Sequence, residues 1–240
     1  DDDDGSSPER AVRTLAAAQA RLRHGHPDWL LLRRGDVWNE GFGDWQKSGR
    51  SEAEPLVISS YGHAAERPLL RTGNDGGLNS MPTSGAPSTL DYFVVEGIHF
   101  HAHTNTGHAG VGIRLLLGGR GVLIENCMVE GYGSNVVVQG YGGPHHSFEL
   151  YRSIVVDAFL ANGEGHAQGL FIEQAHGIRI VENVFDHNGW SESVPAARPD
   201  IYSHNLYIDN GNTGVVLRGN LIARGSSHGL QLRCGGSVVN

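Results

Sequence analysis

Gly169-Leu-Phe-Ile-Glu173 is one of five short segments in which apolar residues alternate with variable ones. Each segment begins with a small or polar residue and has apolar second and fourth residues, which is typical of a strand with one buried face. The segments begin 23, 34, 36 and 24 residues apart, so a base period of 23–24 residues with two insertions explains every gap. The other four are Gly112-Ile-Arg-Leu-Leu116, Asn135-Val-Val-Val-Gln139, Asn205-Leu-Tyr-Ile-Asp209 and Gly229-Leu-Gln-Leu-Arg233.

A second series of four segments lies between the first five, and each member ends in Asn or Ser. Stacked Asn or Ser side chains at a turn can hydrogen-bond along the stack and satisfy the backbone at the same time. Two ladders of strands at this period predict a parallel β-solenoid, in which every coil buries its apolar face against its neighbours. The four segments are Val122-Leu-Ile-Glu-Asn126, Glu149-Leu-Tyr-Arg-Ser153, Arg179-Ile-Val-Glu-Asn183 and Val216-Leu-Arg-Gly-Asn220.

From Leu90 onward, this repeat resembles the right-handed parallel β-helix proteins of the pectate-lyase and polygalacturonase type. The resemblance implies an all-β fold, a right-handed parallel β-helix, and we expect residues 1–240 to form a single domain. In this domain we expect an N-terminal cap in residues 1–28, the first coil with irregular loops in residues 29–89, and regular coils in residues 90–240.

The expected cap is an α-helix that plugs the open apolar end of the first coil. Ser6-Ser-Pro-Glu9 has the pattern of a capping box at the start of such a helix. The apolar residues of one helix face would be Ala11, Leu15, Ala18 and Leu22. At the other end, Asn240 falls within an expected strand and leaves the core uncapped, so we expect the chain to be truncated there, with further coils beyond it.

The composition excludes several classes of protein. With a net charge of −8 and no basic stripe, the 240-residue chain is not expected to bind nucleic acid or an anionic membrane. No stretch approaches ~18 uninterrupted apolar residues, so we expect no membrane insertion. Cys127 and Cys234 are too few for a disulfide framework. Trp29–Trp38 and Pro55–Gly62 resemble the first coil of secreted β-helix proteins, and we expect a monomer that is extracellular or periplasmic.

The outer face of the later coils combines several reactive side chains. If the second and fourth residues of each segment point inward, the third and fifth form outward rows, with equivalent residues about 4.8 Å apart. The rows, with the residues that precede the strands, are Phe171, Tyr207 and Gln231; Glu173, Asp209 and Arg233; and Gln168, His204 and His228. A solvated ladder of cross-strand pairs would produce the same outward rows, and a histidine at a turn can simply bond a carbonyl group.

Two insertions flank this patch, at Phe159–His166 and Trp190–Asp200. Long loops on a regular scaffold usually build binding sites. Trp190 and Tyr202 could stack against sugar rings, because their rings have a large apolar face. The complete set of candidate substrate-binding residues is Trp190, Tyr202, His166, Gln231 and Arg114.

The patch is suited to β-elimination on a uronic-acid-containing polysaccharide, which is the reaction of a polysaccharide lyase. A cation must neutralise the sugar carboxylate, and Arg233 is the candidate. A base must remove the acidified proton, for which His204 and His228 are alternatives, and Tyr207 is the candidate acid for the leaving oxygen. A lysine base is disfavoured, because Lys47, the single lysine, lies far from the patch in the N-terminal region.

Three other functions stay open. Glu173 and Asp209, one coil apart, could form the carboxylate pair of a retaining glycoside hydrolase, although the Asn-Thr-Asp motif of polygalacturonases is absent. A uronan epimerase would carry Asp-Pro-His, where this chain has Ile201-Tyr-Ser-His204. A β-helix that binds glycans without catalysis is the third alternative.

A separate histidine cluster alternates along one predicted strand. His99, His101 and His103 fall on the same face, roughly 6–7 Å between neighbours, with His108 nearby. Two of them could share a metal ion, but no cysteine or well-placed carboxylate completes a zinc pattern. Asp1–Asp4 could bind Ca²⁺, and the alternative is a frayed acidic terminus. No cofactor is otherwise expected.

Overall fold

The computed structural model describes residues 3–85 and 88–239. In this part of the chain, one α-helix, α1 (Leu15–Arg21), is followed by 23 short β-strands that form three parallel sheets. No helix of the described residues is long and apolar enough to cross a membrane. Asp1, Asp2 and Asn240 lie outside the described residues, and with them part of the expected calcium site and the residue at the expected truncation.

Successive coils add strands to the three sheets in turn. Sheet 1 consists of β1 (Trp29–Arg33), β4 (Leu56–Tyr61), β7 (Phe93–Glu96), β10 (Gly119–Glu125), β13 (His145–Tyr151), β16 (Ala175–His176), β17 (Arg179–Val181), β20 (Val216–Arg218) and β23 (Ser237–Val239). Sheet 2 consists of β2 (Val37–Trp38), β5 (Leu69–Arg71), β8 (His99–His101), β11 (Met128–Glu130), β14 (Ile154–Val156), β18 (Val184–Asp186) and β21 (Leu221–Ala223). Sheet 3 consists of β3 (Gly43–Asp44), β6 (Leu78–Ser80), β9 (Val111–Leu115), β12 (Ser134–Gln139), β15 (Gln168–Glu173), β19 (His204–Ile208) and β22 (Leu230–Leu232).

The register of sheet 3 confirms the repeat predicted from the sequence. One row of paired residues runs across five strands and has the spacings of 23, 34, 36 and 24 residues. Its members are Ile113, Val136, Leu170, Leu206 and Leu230. The two longer spacings therefore arise from loops that are inserted between strands, while the coils keep otherwise equal geometry.

Alternation along the strands separates the core from the outer face. Leu170 and Ile172 of β15 are fully buried, whereas Phe171 and Glu173 are partly exposed on the outside. The core of the described residues runs from Leu15 to Leu217 without a break. The predicted fold, an all-β right-handed parallel β-helix with a short N-terminal helix, is confirmed.

The N-terminal helix begins later than the sequence predicted. Ser6-Ser-Pro-Glu9 does not start an α-helix, because Pro8–Arg10 makes only a 3₁₀ turn and Ala11 is extended. The helix starts after Thr14, whose hydroxyl accepts a hydrogen bond from the Ala17 N–H at 3.2 Å. Thr14 therefore supplies the cap that the sequence pattern predicts at Ser6.

The helix nevertheless closes the apolar end of the first coil. Leu15 is buried in the core, and Ala18 and Leu22 pack against it. The Lys47 ammonium donates to the carbonyls of Gln19 and Leu22 at 2.5 and 2.7 Å, so it satisfies acceptors at the C-terminal end of the helix. The single lysine thus has a structural role.

Residues 29–89 contain two coils where the sequence predicted one. The first coil is formed by β1, β2 and β3, and the second by β4, β5 and β6. In sheet 3 these coils contribute strands of only two and three residues, which are too short to show a periodic pattern.

The predicted polar ladder is present at the turn between sheets 1 and 2. The Ser153 N–H donates to the Asn183 side-chain oxygen at 2.9 Å, and the Asn183 N–H donates to the Asn220 oxygen at 3.0 Å. Each side chain thereby satisfies the backbone of the preceding coil.

The first member of this ladder differs from the prediction by one residue. Ile124 pairs with Leu150, which aligns Cys127 rather than Asn126 with Ser153. The Cys127 N–H donates to the Ser153 hydroxyl at 3.1 Å, and Asn126 takes a left-handed backbone conformation with φ of 49°. Asparagine tolerates this conformation better than most residues, which explains its place at the turn.

A buried asparagine cluster holds the turn between sheets 2 and 3. The Asn188 side-chain oxygen accepts from the Ala158 N–H and from Asn135, both at 3.0 Å. Its amide nitrogen donates to the Val155 carbonyl at 2.9 Å and to the Asn205 oxygen at 2.7 Å. Three coils are tied together at the point where the chain enters sheet 3.

Replacing Asn188 with alanine should therefore destabilise the whole domain. The substitution removes four hydrogen bonds among buried groups of three coils, and we expect a loss of about 3–5 kcal/mol in the free energy of unfolding. Urea unfolding followed by circular dichroism measures it. The matched control is Asn39→Ala at an exposed position, and a loss no larger than that of the control would contradict the role of the cluster.

Candidate active site

The outer face of sheet 3 carries a groove with a volume of about 740 Å³. It runs across the strands, from the segment that follows β6 to β19, and spans five coils. Its lining residues are Met81, Pro82, Val111, Arg114, Leu116, Ser134, Val137, Gln139, Tyr141, His166, Gln168, Phe171, Tyr207 and Asp209. A long open groove of this shape suits an extended ligand better than a compact one.

One outward row forms the line of the groove. Arg114, Val137, Phe171, Tyr207 and Gln231 pair in this order on β9, β12, β15, β19 and β22. Adjacent parallel strands lie about 4.8 Å apart, so the backbones at Arg114 and Tyr207 are roughly 14 Å apart. The row therefore places Arg114 at one end of the groove, with the side chains of Val137 and Phe171 between it and Tyr207.

Tyr207 is the centre of the polar end of the groove. The guanidinium carbon of Arg233 lies 5.1 Å from the centroid of the Tyr207 ring, and the Phe171 ring packs edge-on at 5.3 Å. Arg233 also pairs with Asp209 at 3.7 Å. Burial, and after it the neighbouring Asp209 carboxylate, raise the pKa of the Tyr207 phenol. The phenol is thus held in its protonated form beside a cation.

His204 is buried beneath this end of the groove with a defined tautomer. Its Nδ1 lies 2.8 Å from the Tyr202 carbonyl and must donate to it. The other nitrogen, Nε2, accepts from the Gln231 amide at 2.7 Å when that amide is oriented to satisfy both of its neighbours. In the same orientation the Gln231 oxygen accepts from Arg233 at 2.9 and 3.1 Å. A continuous chain of hydrogen bonds therefore links the imidazole to the guanidinium.

His228 stacks on His204 from the next coil. The two ring centroids are 5.6 Å apart and the rings are nearly parallel. His204 is only 2% exposed, whereas His228 is exposed to solvent and its Nδ1 lies 2.9 Å from the Ser227 hydroxyl. Of the two candidate bases, His228 is therefore the accessible one.

The two carboxylates predicted as a pair lie on neighbouring strands. Ile172 pairs with Ile208, which places Glu173 and Asp209 one rung apart on the outer face. Glu173 accepts from the Gln139 amide at 2.9 Å, while Asp209 faces Arg233. Only Asp209 is part of the groove lining.

The loops before β15 and β19 supply an aromatic rim. His166 lines the groove, and its ring stacks on the Tyr202 ring with the centroids 4.9 Å apart. Tyr202 is 57% exposed, which leaves part of its ring free to contact a ligand. At the other end, the Arg114 guanidinium lies 3.9 Å from the Met81 sulfur and forms no ion pair with the described acidic residues.

Trp190 does not line the groove. Its ring packs against His187 with the centroids 4.4 Å apart, and its indole N–H donates to the Arg224 carbonyl at 3.2 Å. The structure therefore separates Trp190 from the residues with which the sequence grouped it.

The histidine cluster lies on a different face, the outer side of sheet 2. His99 and His101 lie on β8, and Glu130 on β11 faces both, a partner that the sequence analysis missed. The missed signal is the register of Met128-Val-Glu130 with His99-Phe-His101. His103 lies beyond the strand, where its ring accepts from the Gly73 N–H at 3.3 Å.

Comparison with known proteins gives two likenesses to solved structures. No family model matches the chain, and no curated protein matches it. An alginate lyase from Paenibacillus sp. str. FPU-7 is 16% identical with a TM-score of 0.47, over 87% of this chain and 75% of that one. A GH136 lacto-N-biosidase from Eubacterium ramulus is 13% identical with a TM-score of 0.37, over 90% of this chain and 40% of that one. At these values, neither protein's activity transfers to this chain.

Acidification should lower the free energy of unfolding, because His204 is protonated more readily in the unfolded chain. Burial lowers the pKa of His204, so the unfolded chain binds the proton more readily than the folded protein. The free energy of unfolding should fall as the pH drops below the ordinary histidine pKa of about 6.5 and toward the lowered pKa of the folded state. Urea unfolding at a series of pH values should show a smaller fall for His204→Asn than for the unchanged protein.

The matched control is His63→Asn, at an exposed position in the loop after β4. That variant should follow the pH curve of the unchanged protein. Equal falls for His204→Asn and His63→Asn would show that His204 is not the acid-sensitive group.

Proposed function

We propose that the protein is a polysaccharide lyase that cleaves a uronic-acid-containing polysaccharide by β-elimination, acting as a monomer outside the cell or in the periplasm. The supporting observation is that Arg233 and His204 both lie against Tyr207 at one end of the groove, and that His228 stacks on His204 there. Elimination needs a cation, a base and an acid around one sugar unit. These three kinds of group meet at this place.

Arg233 is the cation that neutralises the uronate carboxylate. Its guanidinium is about half exposed, and its contact with Asp209, at 3.7 Å, is longer than a hydrogen bond. A guanidinium has five N–H donors, so Arg233 can keep its bonds to Gln231 and still offer a pair of donors to a substrate carboxylate. Neutralising the carboxylate makes the proton on the adjacent carbon acidic enough to be removed.

His228 removes that proton as the base, and the Tyr207 phenol donates a proton to the leaving oxygen as the acid. The electron pair of the broken C–H bond becomes the new carbon–carbon double bond, the glycosidic C–O bond breaks, and the leaving oxygen receives the phenol proton. The raised pKa of Tyr207 keeps the phenol protonated until this step. His204 is a positioning residue in this scheme, because Gln231 covers its Nε2 and it supports the His228 ring from below.

Arg114 extends the binding surface to a second carboxylate of the polymer. Arg114 lies in the same groove as Tyr207, three strand spacings or roughly 14 Å away. The apolar side chains of Val137 and Phe171 lie between the two residues. The chain carries a net charge of −8, so attraction of a polyanion depends on these local arginines. His166 and Tyr202 provide a ring pair against which a sugar face can stack.

Tyr207→Phe and Arg233→Gln test this proposal. With alginate, pectate and a glycosaminoglycan as substrates, the ultraviolet absorbance of the unsaturated product measures elimination. Loss of the acid should lower kcat by about 10²–10⁴-fold, and loss of the cation by about 10²–10³-fold. The matched controls are Tyr151→Phe and Arg224→Gln, whose side chains lie on the outer faces of sheets 1 and 2. A substrate that is cleaved equally by all four variants would refute these roles.

A retaining glycoside hydrolase is the second candidate function. It is favoured by the placement of Glu173 and Asp209 one rung apart, since retaining enzymes hold their carboxyl groups about 5–5.5 Å apart. New reducing ends without an unsaturated product, lost in both Glu173→Gln and Asp209→Asn, would establish it and exclude the lyase. Inversion at a uronate carbon without cleavage would indicate an epimerase, and binding without any product a glycan-binding protein.

A further inference from the structure

The outer face of sheet 2 carries a compact group of three potential metal ligands. His99 and His101 project from the same side of β8, and Glu130 occupies the neighbouring rung on β11. Their ligand atoms all lie within 4.8 Å of one another. The groove lies on sheet 3, so this group is not part of the proposed lyase site.

The distances within the group are close to those of a metal centre. The His99 Nε2 lies 2.9 Å from one Glu130 carboxylate oxygen, and the His101 Nε2 lies 3.7 Å from the other. Ligand atoms around a tetrahedral Zn²⁺ ion are roughly 3.3 Å apart, given metal–ligand bonds of about 2.0–2.1 Å. Small side-chain rotations would therefore bring all three ligands to one ion.

The surroundings leave the three ligands accessible and partly desolvated. The three side chains are between 21% and 29% exposed, so an ion can reach them while part of their hydration has already been removed. A neutral imidazole and an ionised carboxylate are the forms that bind metals.

Two further side chains, those of Arg71 and His103, lie next to the three ligands. Arg71 on β5 pairs with His101 on the side away from Glu130, and its positive charge disfavours a cation. The ring of His103 meets that of His101 edge-on, with the centroids 6.1 Å apart. The Glu130 carboxylate offsets the charge of Arg71, and the ion would lie between Glu130 and the two rings.

We propose that His99, His101 and Glu130 form a binding site for a divalent transition-metal ion of the Zn²⁺ type. Two imidazoles and one carboxylate suit Zn²⁺, Co²⁺, Ni²⁺ or Cu²⁺, whereas Ca²⁺ and Mg²⁺ require more oxygen ligands. Three bonds from the protein to the ion form, the hydrogen bond between His99 and Glu130 breaks, and any proton held by the pair is released to solvent. The fourth position is left to water.

The site would also link two coils. His99 and His101 come from one coil and Glu130 from the next, so the ion would bridge β8 and β11 beside their backbone hydrogen bonds. An ion that binds the folded state but not the unfolded chain stabilises the fold in proportion to its concentration. Metal binding can therefore be measured by its effect on stability, separately from lyase activity.

The experiment is a titration of the full chain, freed of metal with EDTA, with Zn²⁺ in a calorimeter. We expect one ion per chain and a higher thermal unfolding temperature with Zn²⁺, and no rise with Ca²⁺. With Co²⁺ as the probe, a visible d–d band of tetrahedral type should appear. His101→Ala and Glu130→Gln should each lower the Zn²⁺ affinity by at least about tenfold.

The matched control is His146→Ala, which removes one ring from another histidine pair, His146 and His176 on sheet 1, whose ring centroids lie 5.3 Å apart. That variant should keep the affinity of the unchanged protein. Glu130→Gln retains a hydrogen-bonding side chain at its position, so circular dichroism should show that it folds. Stoichiometric binding that survives in both His101→Ala and Glu130→Gln, or no stoichiometric binding in the unchanged protein, would overturn the proposal.

Discussion

In-register parallel pairing between successive coils is the constraint on which the rest of this structure depends. It places each residue about 4.8 Å from its equivalents on the neighbouring coils, so one side-chain type repeated at the coil spacing becomes a row. A slip of one residue would exchange the buried and the outward side chains of a strand. The apolar row through Leu170 and Leu206 and the buried Asn188 cluster both oppose such a slip, because either would lose its partners.

The candidate active site is a product of this register rather than of any one segment. Its central residues, Tyr207, Gln231 and Arg233, come from two coils. Their side chains meet because β19 and β22 pair with Tyr207 opposite Gln231. Burial and hydrogen bonding then give the groups different roles. His204 is held beneath the surface by the Tyr202 carbonyl and Gln231, whereas His228 above it stays accessible.

The same in-register pairing of coils produces two chemically different faces. On sheet 3, aromatic, cationic and acidic rows line a groove that is long enough for a polymer. On sheet 2, short strands bring His99 and His101 against Glu130 and form a compact cluster. Because the two faces share the core but no side chains, a change on one face need not disturb the other, provided that the coil register is kept.

The sequence by itself determined the fold, the coil spacings and the outward rows around Tyr207, because periodic alternation and periodic spacing are local properties of the chain. Only the tertiary structure decided the features that lack such periodicity. Trp190 lies on an irregular loop, so no pattern could show that it packs on His187 rather than in the groove. Glu130 meets His101 through strands of three residues, which are too short to reveal their register in advance. The start of α1 was set by the extended backbone after the first 3₁₀ turn, which a capping motif alone does not specify. Contacts between residues that are far apart in the sequence, such as Trp190 with Arg224 and His101 with Glu130, decide the first two positions, and such partners are identified only once the chain has folded.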